Sequence, residues 1–146
     1  MKALLDVSVL VALAWENHQF HRAARNWLET HKGSGWATCA ITQLGFIRIS
    51  CQSSIFGDNA KTPEQAKSLL AHYTVDKNHT FFSELPPVSE CPEISRIFGP
   101  NKVTDAYLVG LARFHHSKFV TFDKRVASLA SNKNLIEVIQ PSILGG

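Results

Sequence analysis

Three aspartates, Asp6, Asp105 and Asp123, offer the clearest opportunity for chemistry in this sequence. Asp6 closes the apolar run KALLD, Asp123 closes KFVTFD, and Asp105 stands in Asn101-Lys102-Val103-Thr104-Asp105, which reads as the opening of a helix. Taken singly, each has an ordinary structural role. A carboxylate at a helix N-cap or in a first turn accepts orphan backbone N–H groups and complements the helix dipole. Taken together, they would put about three negative charges into one crevice, where they repel unless some are protonated or a cation lies between them. A hard divalent ion with oxygen ligands, Mg²⁺ or Mn²⁺, is the usual solution.

Convergence requires elements that carry the three acids to one edge, and the hydrophobic pattern supplies them. KALLD reads as a strand, and SVLVALAWEN as a helix with Val9, Leu10, Leu13 and Ala14 at helical spacing. His18 to Thr30 is a second amphipathic helix, built on Phe20, Ala23, Ala24, Trp27 and Leu28 and stopped by HKGSG. WATC is a brief strand, Ile41 to Cys51 a helix, and Phe56 to Asn59 a loop. Thr62 is the expected cap of a helix whose first turn carries Pro63. HTFFSEL is a strand, and PPVSECPEISRIF a turn with a short helix. A helix follows from Asn101 to about Ala112, then the strand KFVTFD, the helix KRVASLA and the closing strand NLIEVI. Strands alternating with helices on short connections predict an α/β domain with a mostly parallel sheet. Such sheets bind ligands at the carboxyl ends of their strands, near the point where strand order reverses. Asp6 and Asp123 both end strands, and a helix returning antiparallel to the sheet would bring Asp105 to the same edge.

Composition narrows the alternatives. A chain of 146 residues with 45% hydrophobic and 18% charged residues is the size of one domain, expected to span 1–146. The formal charge of +3 is compatible with a polyanionic partner but does not argue for one alone. Cys39, Cys51 and Cys91 have no zinc-ligand spacing and read as idle thiols in a reducing cytoplasm. Met1-Lys2, VLVALA and Ala12-x-Ala14 imitate a signal peptide, but Asp6 interrupts the apolar core that one requires. No run approaches the ~20 residues of a membrane helix, so no membrane partner is expected. His18/His21 and His115/His116 lack accompanying ligands, and phosphate-loop, nucleophile-elbow and dinucleotide fingerprints are absent. Trp15, Trp27, Phe46 and Phe114 have the helical spacing of packing residues.

Four stretches, LLDVSVLVAL, WATCAITQLGFIRI, VTDAYLVGLA and VTFDKRV, in this order and at these separations, resemble a PIN-domain ribonuclease, and more narrowly the VapC toxins of bacterial toxin–antitoxin modules. The resemblance spans nearly the whole chain. It implies a three-layer α/β/α fold around a mostly parallel sheet of four or five strands. It also implies an Mg²⁺- or Mn²⁺-dependent endoribonuclease, commonly a homodimer, held inactive by a small VapB-type antitoxin encoded beside it. The family's acids match Asp6, Asp105 and Asp123, and its central-helix acid falls on Gln43. Thr121 matches a position often held by a hydroxyl residue.

On this reading a metal held by Asp6 and Asp105, with Asp123 completing the acidic cup, lowers the pKa of a bound water and sets hydroxide in line with an RNA phosphate. The ion also offsets charge developing on the phosphoryl oxygens. By resemblance, the products carry a 5′-phosphate and a 3′-hydroxyl. Arg48, Lys102, Lys124 and Arg125 flank the acids and are candidates for phosphate contacts, with solvated surface charge or a dimer contact as the plain alternative for each. Ser8 is a candidate for a metal-bound water or for stabilising the strand-to-helix turn. Gln43 is expected on the rim of the metal site as a neutral occupant, leaving three acids for the cation.

Two other readings compete. The missing acid at Gln43 suggests a catalytically weakened PIN protein acting mainly as a binding partner. A receiver-type signalling domain also pairs an α/β fold with Mg²⁺, but it wants adjacent acids after the first strand, where LLDVS has one.

Overall fold

The buried run Ala3–Leu5 forms the middle strand of a parallel sheet in the computed structural model, which describes residues 1–97, 99–130 and 132–141. The strands are β1 (Ala3–Leu5), β2 (Trp36–Cys39), β3 (His79–Phe82), β4 (Lys118–Thr121) and β5 (Ile136–Val138). They lie in the order β3-β2-β1-β4-β5, and every neighbouring pair is parallel. The helices are α1 (Val7–Ala14), α2 (His21–His31), α3 (Ala40–Ser50), the single turn α4 (Ser53–Phe56), α5 (Pro63–Thr74) and α6 (Val103–Phe114).

Alternation along the strands builds three layers, because successive side chains point to opposite faces. Leu5, Trp36 and Val120 enter a core with Val9 and Leu13 of α1, Trp27 and Leu28 of α2, Phe46 of α3 and Leu70 of α5. Leu4, Ala37, Cys39 and Phe119 enter the opposite core, closed by Ala106, Leu108, Val109 and Leu111 of α6. Both faces of the central strands are covered, which is why they read as continuous apolar runs.

Local signals set the helix positions. Thr62 caps α5 and forms a capping box with Gln65, with Pro63 in the first turn. Cys39 and Thr42 form a capping box for α3, which fixes the rotation of that helix as it leaves β2. Gly35, at φ +90, makes the turn into β2, a backbone conformation that a side chain would strain. A Cβ added at Gly45 would lie 2.6 Å from Val7 Cγ2, so α3 approaches the start of α1 as closely as only glycine permits.

Some expected elements take a different form. The KRVASLA segment is a 3₁₀ helix, Lys124–Leu129, not an α-helix. Its buried residues Val126 and Leu129 are three apart, a spacing that eclipses on a 3₁₀ turn. Phe56 ends α4, and Gly57–Asn59 is a 3₁₀ turn where a loop was expected. PPVSECPEISRIF holds two 3₁₀ turns, Val88–Glu90 and Pro92–Arg96, and its last residue, Phe98, lies outside the described residues. No helix among the described residues is long and apolar enough to cross a membrane.

Candidate active site

Strand order reverses between β1 and β4: β2 and β3 lie on one side of β1, and β4 and β5 on the other. The carboxyl ends of β1 and β4 therefore flank the crevice where such sheets bind ligands. Asp6 leaves β1 with its backbone N–H donating to Val120 O at 2.9 Å. Its side chain caps α1, accepting from Val7 N at 2.7 Å, Ser8 Oγ at 3.2 Å and Thr121 Oγ1 at 2.6 Å. Only 8% of Asp6 is exposed. That burial pushes its pKa up and the charge of Asp105 adds to the rise, against the three hydrogen bonds it accepts.

Asp105 lies in the first turn of α6 and shares with Asp6 a cavity of about 260 Å³. Its pKa is also raised, by burial first and by the charge of Asp123, with Lys102 opposing. One wall of the cavity is α3, through Ile41, Gly45, Arg48 and Ile49, and Val7, Thr104 and Leu108 complete it. Two carboxylates that are costly to ionise, facing one cavity, offer hard oxygen donors whose repulsion a bound cation would relieve.

Asp123 behaves differently. It caps the turn after β4, accepting from Arg125 N at 2.9 Å and from the Arg125 guanidinium at 3.1 Å and 3.2 Å. Lys102 Nζ reaches its Oδ2 at 2.5 Å and lies 3.5 Å from Asp105 Oδ2. The Arg125 and Lys102 hydrogen bonds hold the Asp123 carboxyl well below the usual carboxylate range. The Asp123 backbone N–H donates to Thr121 Oγ1 at 3.1 Å, so one hydroxyl connects the first acid to the last. Among the described residues, no three His, Cys, Asp or Glu side chains gather closely enough to hold a metal ion. The acids share one neighbourhood, yet only Asp6 and Asp105 line the cavity.

Gln43 is not on the rim where the sequence placed it. Its Nε2 donates to Thr38 Oγ1 at 3.0 Å, and Thr38 Oγ1 is 2.8 Å from His79 Nε2. It borders a separate groove between α3 and α5, with Leu44, Lys67 and Leu70. At about 100° per residue, position 43 points nearly opposite to positions 41 and 45, which face the acids. The other candidates divide. Arg48 is exposed on the cavity wall, Lys102 and Arg125 are bound to acids, and Lys124 is exposed with no ion pair among the described residues. Ser8 Oγ donates to Asp6 and accepts from Phe122 N at 3.4 Å, holding the carboxylate against the β4 exit. Ile41, Gly45, Ile49 and Thr104 were not anticipated. A lone glycine inside an apolar helical pattern was the available signal for the close approach at Gly45.

A family model described as PIN domain matches residues 3–132. The chain belongs to the PIN-domain family. Its PIN domain is similar to Ribonuclease VapC39 of Mycobacterium tuberculosis, at 39% identity over 95% of this chain and 100% of that protein. It is also similar to Ribonuclease VapC44 of the same organism, at 42% identity over 89% of this chain and 92% of that one. Among solved structures, the PIN domain shares its fold with a chain of VapBC2 from Rickettsia felis bound to a promoter DNA fragment, with a TM-score of 0.63 and 15% identity over 96% of this chain and 100% of that chain. Mycobacterium tuberculosis VapC20, described as a Sarcin-Ricin loop cleaving toxin, gives a TM-score of 0.61 and 13% identity over 90% and 97%. In all four cases most of both chains is covered.

Proposed function

We propose that this PIN domain is the metal-dependent endoribonuclease toxin of a type II toxin–antitoxin module and cuts RNA at the Asp6–Asp105 cavity. The observation that carries this reading is the pair of carboxylates facing one cavity at the strand-order reversal, both raised in pKa by burial and by a neighbouring carboxylate. Kinship with proteins named as ribonucleases supports it.

Asp6 and Asp105 would hold Mg²⁺ or Mn²⁺. When bound, such an ion acidifies water and offsets charge on phosphoryl oxygens. The remaining work falls to side chains of the protein. Thr121, Ser8 and the Val7 N–H fix the orientation of the Asp6 carboxylate, which lines the cavity. Arg48, on the wall and exposed, is placed to take a phosphate of the strand, with Lys124 and Arg125 further along. A VapB-type antitoxin, a homodimeric state and the cytoplasm complete the proposal.

The test is cleavage of structured RNA by antitoxin-free protein with Mn²⁺ or Mg²⁺, comparing wild type with Asp6→Asn and Asp105→Asn. Both substitutions keep a helix-compatible polar side chain, and both should abolish metal-dependent cleavage. Cleavage surviving either one would remove that residue from the site. A second reading, a weakened enzyme acting mainly as a binding partner, draws on the engagement of Asp123 with Lys102 and Arg125 and on the position of Gln43. A wild-type protein that cuts no RNA with either metal would favour it.

A further inference from the structure

The cation that touches both Asp105 and Asp123 belongs to the protein. Lys102 Nζ lies 2.5 Å from Asp123 Oδ2 and 3.5 Å from Asp105 Oδ2, and all three side chains are about three-quarters shielded, at 24%, 25% and 24% exposure. Arg125, the other partner of Asp123, is 78% exposed. Exposed pairs are screened and open at little cost, whereas a shielded ammonium on two carboxylates is held more firmly. Lys102 occupies the N-cap position of α6, outside the helical turns, and its four-carbon stem can swing aside without unwinding the helix.

We propose that the Lys102 ammonium is a built-in competitor of the divalent ion: it sits between Asp105 and Asp123 in the resting chain and has to leave before Asp123 can join Asp6 and Asp105 around a metal. The inference rests on the metal-dependent reading above. Its logic is the sharing of oxygen atoms. Oδ2 of Asp123 and Oδ2 of Asp105 face the ammonium, and a divalent ion on the same oxygens would meet a positive charge at close range. Separation of the acids into an Asp6–Asp105 pair at the cavity and an engaged Asp123 follows from this occupancy. Displacement of Lys102 leaves a free ammonium at the edge of the site, where a substrate phosphate can take the place of the carboxylates. Metal and RNA would then favour the same Lys102 position and reinforce each other's binding.

The experiment is a Mn²⁺ titration of the full chain without RNA, followed by calorimetry, on wild type, Lys102→Met, Lys102→Gln, Lys102→Arg and Lys124→Met. Thermal melts of each variant establish that it is folded, and Lys102→Gln is read in place of Lys102→Met if the latter does not fold. Removal of the ammonium should tighten Mn²⁺ binding by about tenfold or more, whereas Lys102→Arg should stay near wild type. Lys124→Met removes the same formal charge beside Asp123 without an ion pair, and should change affinity by less than about twofold. Mn²⁺ binding by the neutral Lys102 variants but not by wild type would support the proposal strongly. Wild-type binding that the neutral variants leave unchanged or weaken overturns the role of Lys102 and leaves the metal site standing. Equal tightening by Lys124→Met also overturns it, since the effect would then be the general field. No Mn²⁺ binding by any variant overturns both this proposal and the metal-dependent reading.

Discussion

Thr121 Oγ1 donates to Asp6 Oδ2 at 2.6 Å across the join between β4 and β1, and the same oxygen accepts from the Asp123 backbone N–H. Thr121 is fully buried, so neither bond is exchanged with water. It orients one acid and anchors the turn that carries another. Thr121→Val keeps the shape, removes both bonds, and leaves the Asp123 N–H without its partner. Outer-shell partners of metal ligands are commonly worth about 10- to 100-fold in metal affinity or activity. Mn²⁺ affinity and RNA cleavage should fall by that range, with a melting temperature lower by a few degrees, as about 1–2 kcal/mol implies. Unchanged metal affinity would reduce Thr121 to a packing residue.

The raised pKa values of Asp6 and Asp105 set a sign for pH dependence. Both are held above the ordinary 3.8, by burial first, so the native state retains protons that the unfolded chain has released. Their ionisation therefore costs stability increasingly as pH rises from 3.8 through the raised values. Asp123 is depressed, and its contribution is present above 3.8 and lost as pH falls through its lowered value. In metal-free protein, the melting temperature of Asp105→Asn relative to wild type should climb as pH rises above 3.8. Mn²⁺ affinity of the wild type should rise over the same interval as protons leave the pair. A flat difference in melting temperature would contradict the assigned shift.

Gln43→Glu tests the separation of α3 into two faces. Gln43 Nε2 donates to Thr38 Oγ1 in the groove between α3 and α5, away from the acids. Restoring a carboxylate there should leave Mn²⁺ affinity within about twofold of wild type and cost about 1 kcal/mol through the lost donor, read as a denaturation midpoint. A marked gain in metal affinity would mean that the side chain rotates into the cavity.

Gly45→Ala places a methyl group 2.6 Å from Val7 Cγ2, on the wall of the cavity beside Asp6. Val7 is β-branched and has little freedom to yield. Overpacking of this kind typically costs about 1–3 kcal/mol, and relief by moving α3 outward would also widen the site. Chemical denaturation and Mn²⁺ titration should both register the change. A fully stable Gly45→Ala protein would show that α3 and α1 are less tightly apposed than the structure has them.

Much of this was legible from residue patterns because it depended on local periodicity. Trp36–Cys39 was read as a strand with its observed bounds, and Thr62, Pro63 and Gln65 mark the start of α5 through capping chemistry alone. Asp6 and Asp123 were placed at one edge by strand-end logic, which needs only the order of elements. Gln43 was misplaced because its direction depends on the rotation of α3, fixed by the Cys39–Thr42 capping box and by the Gly45 contact with Val7. The pairing of Lys102 with Asp105 and Asp123 was equally hidden. The first partner is three residues away on the same turn, but the second comes from another strand end. The 3₁₀ form of Lys124–Leu129 was hidden because its buried pair, Val126 and Leu129, has a three-residue spacing that an α-helical pattern also contains.

The central strand finds one of its two neighbours, β4, far along the chain. Asp6 and Thr121 are 115 positions apart, and β1 is flanked on that side by β4 alone. Long-range parallel pairing is slow to form because loop closure precedes any gain from contact. Within the domain, the first acid is made well before the strand that orients it. A partly synthesised domain therefore carries Asp6 without the hydroxyl that orients it or the helix that supplies Asp105, and the cavity the two acids share is assembled only when translation of the domain is nearly complete.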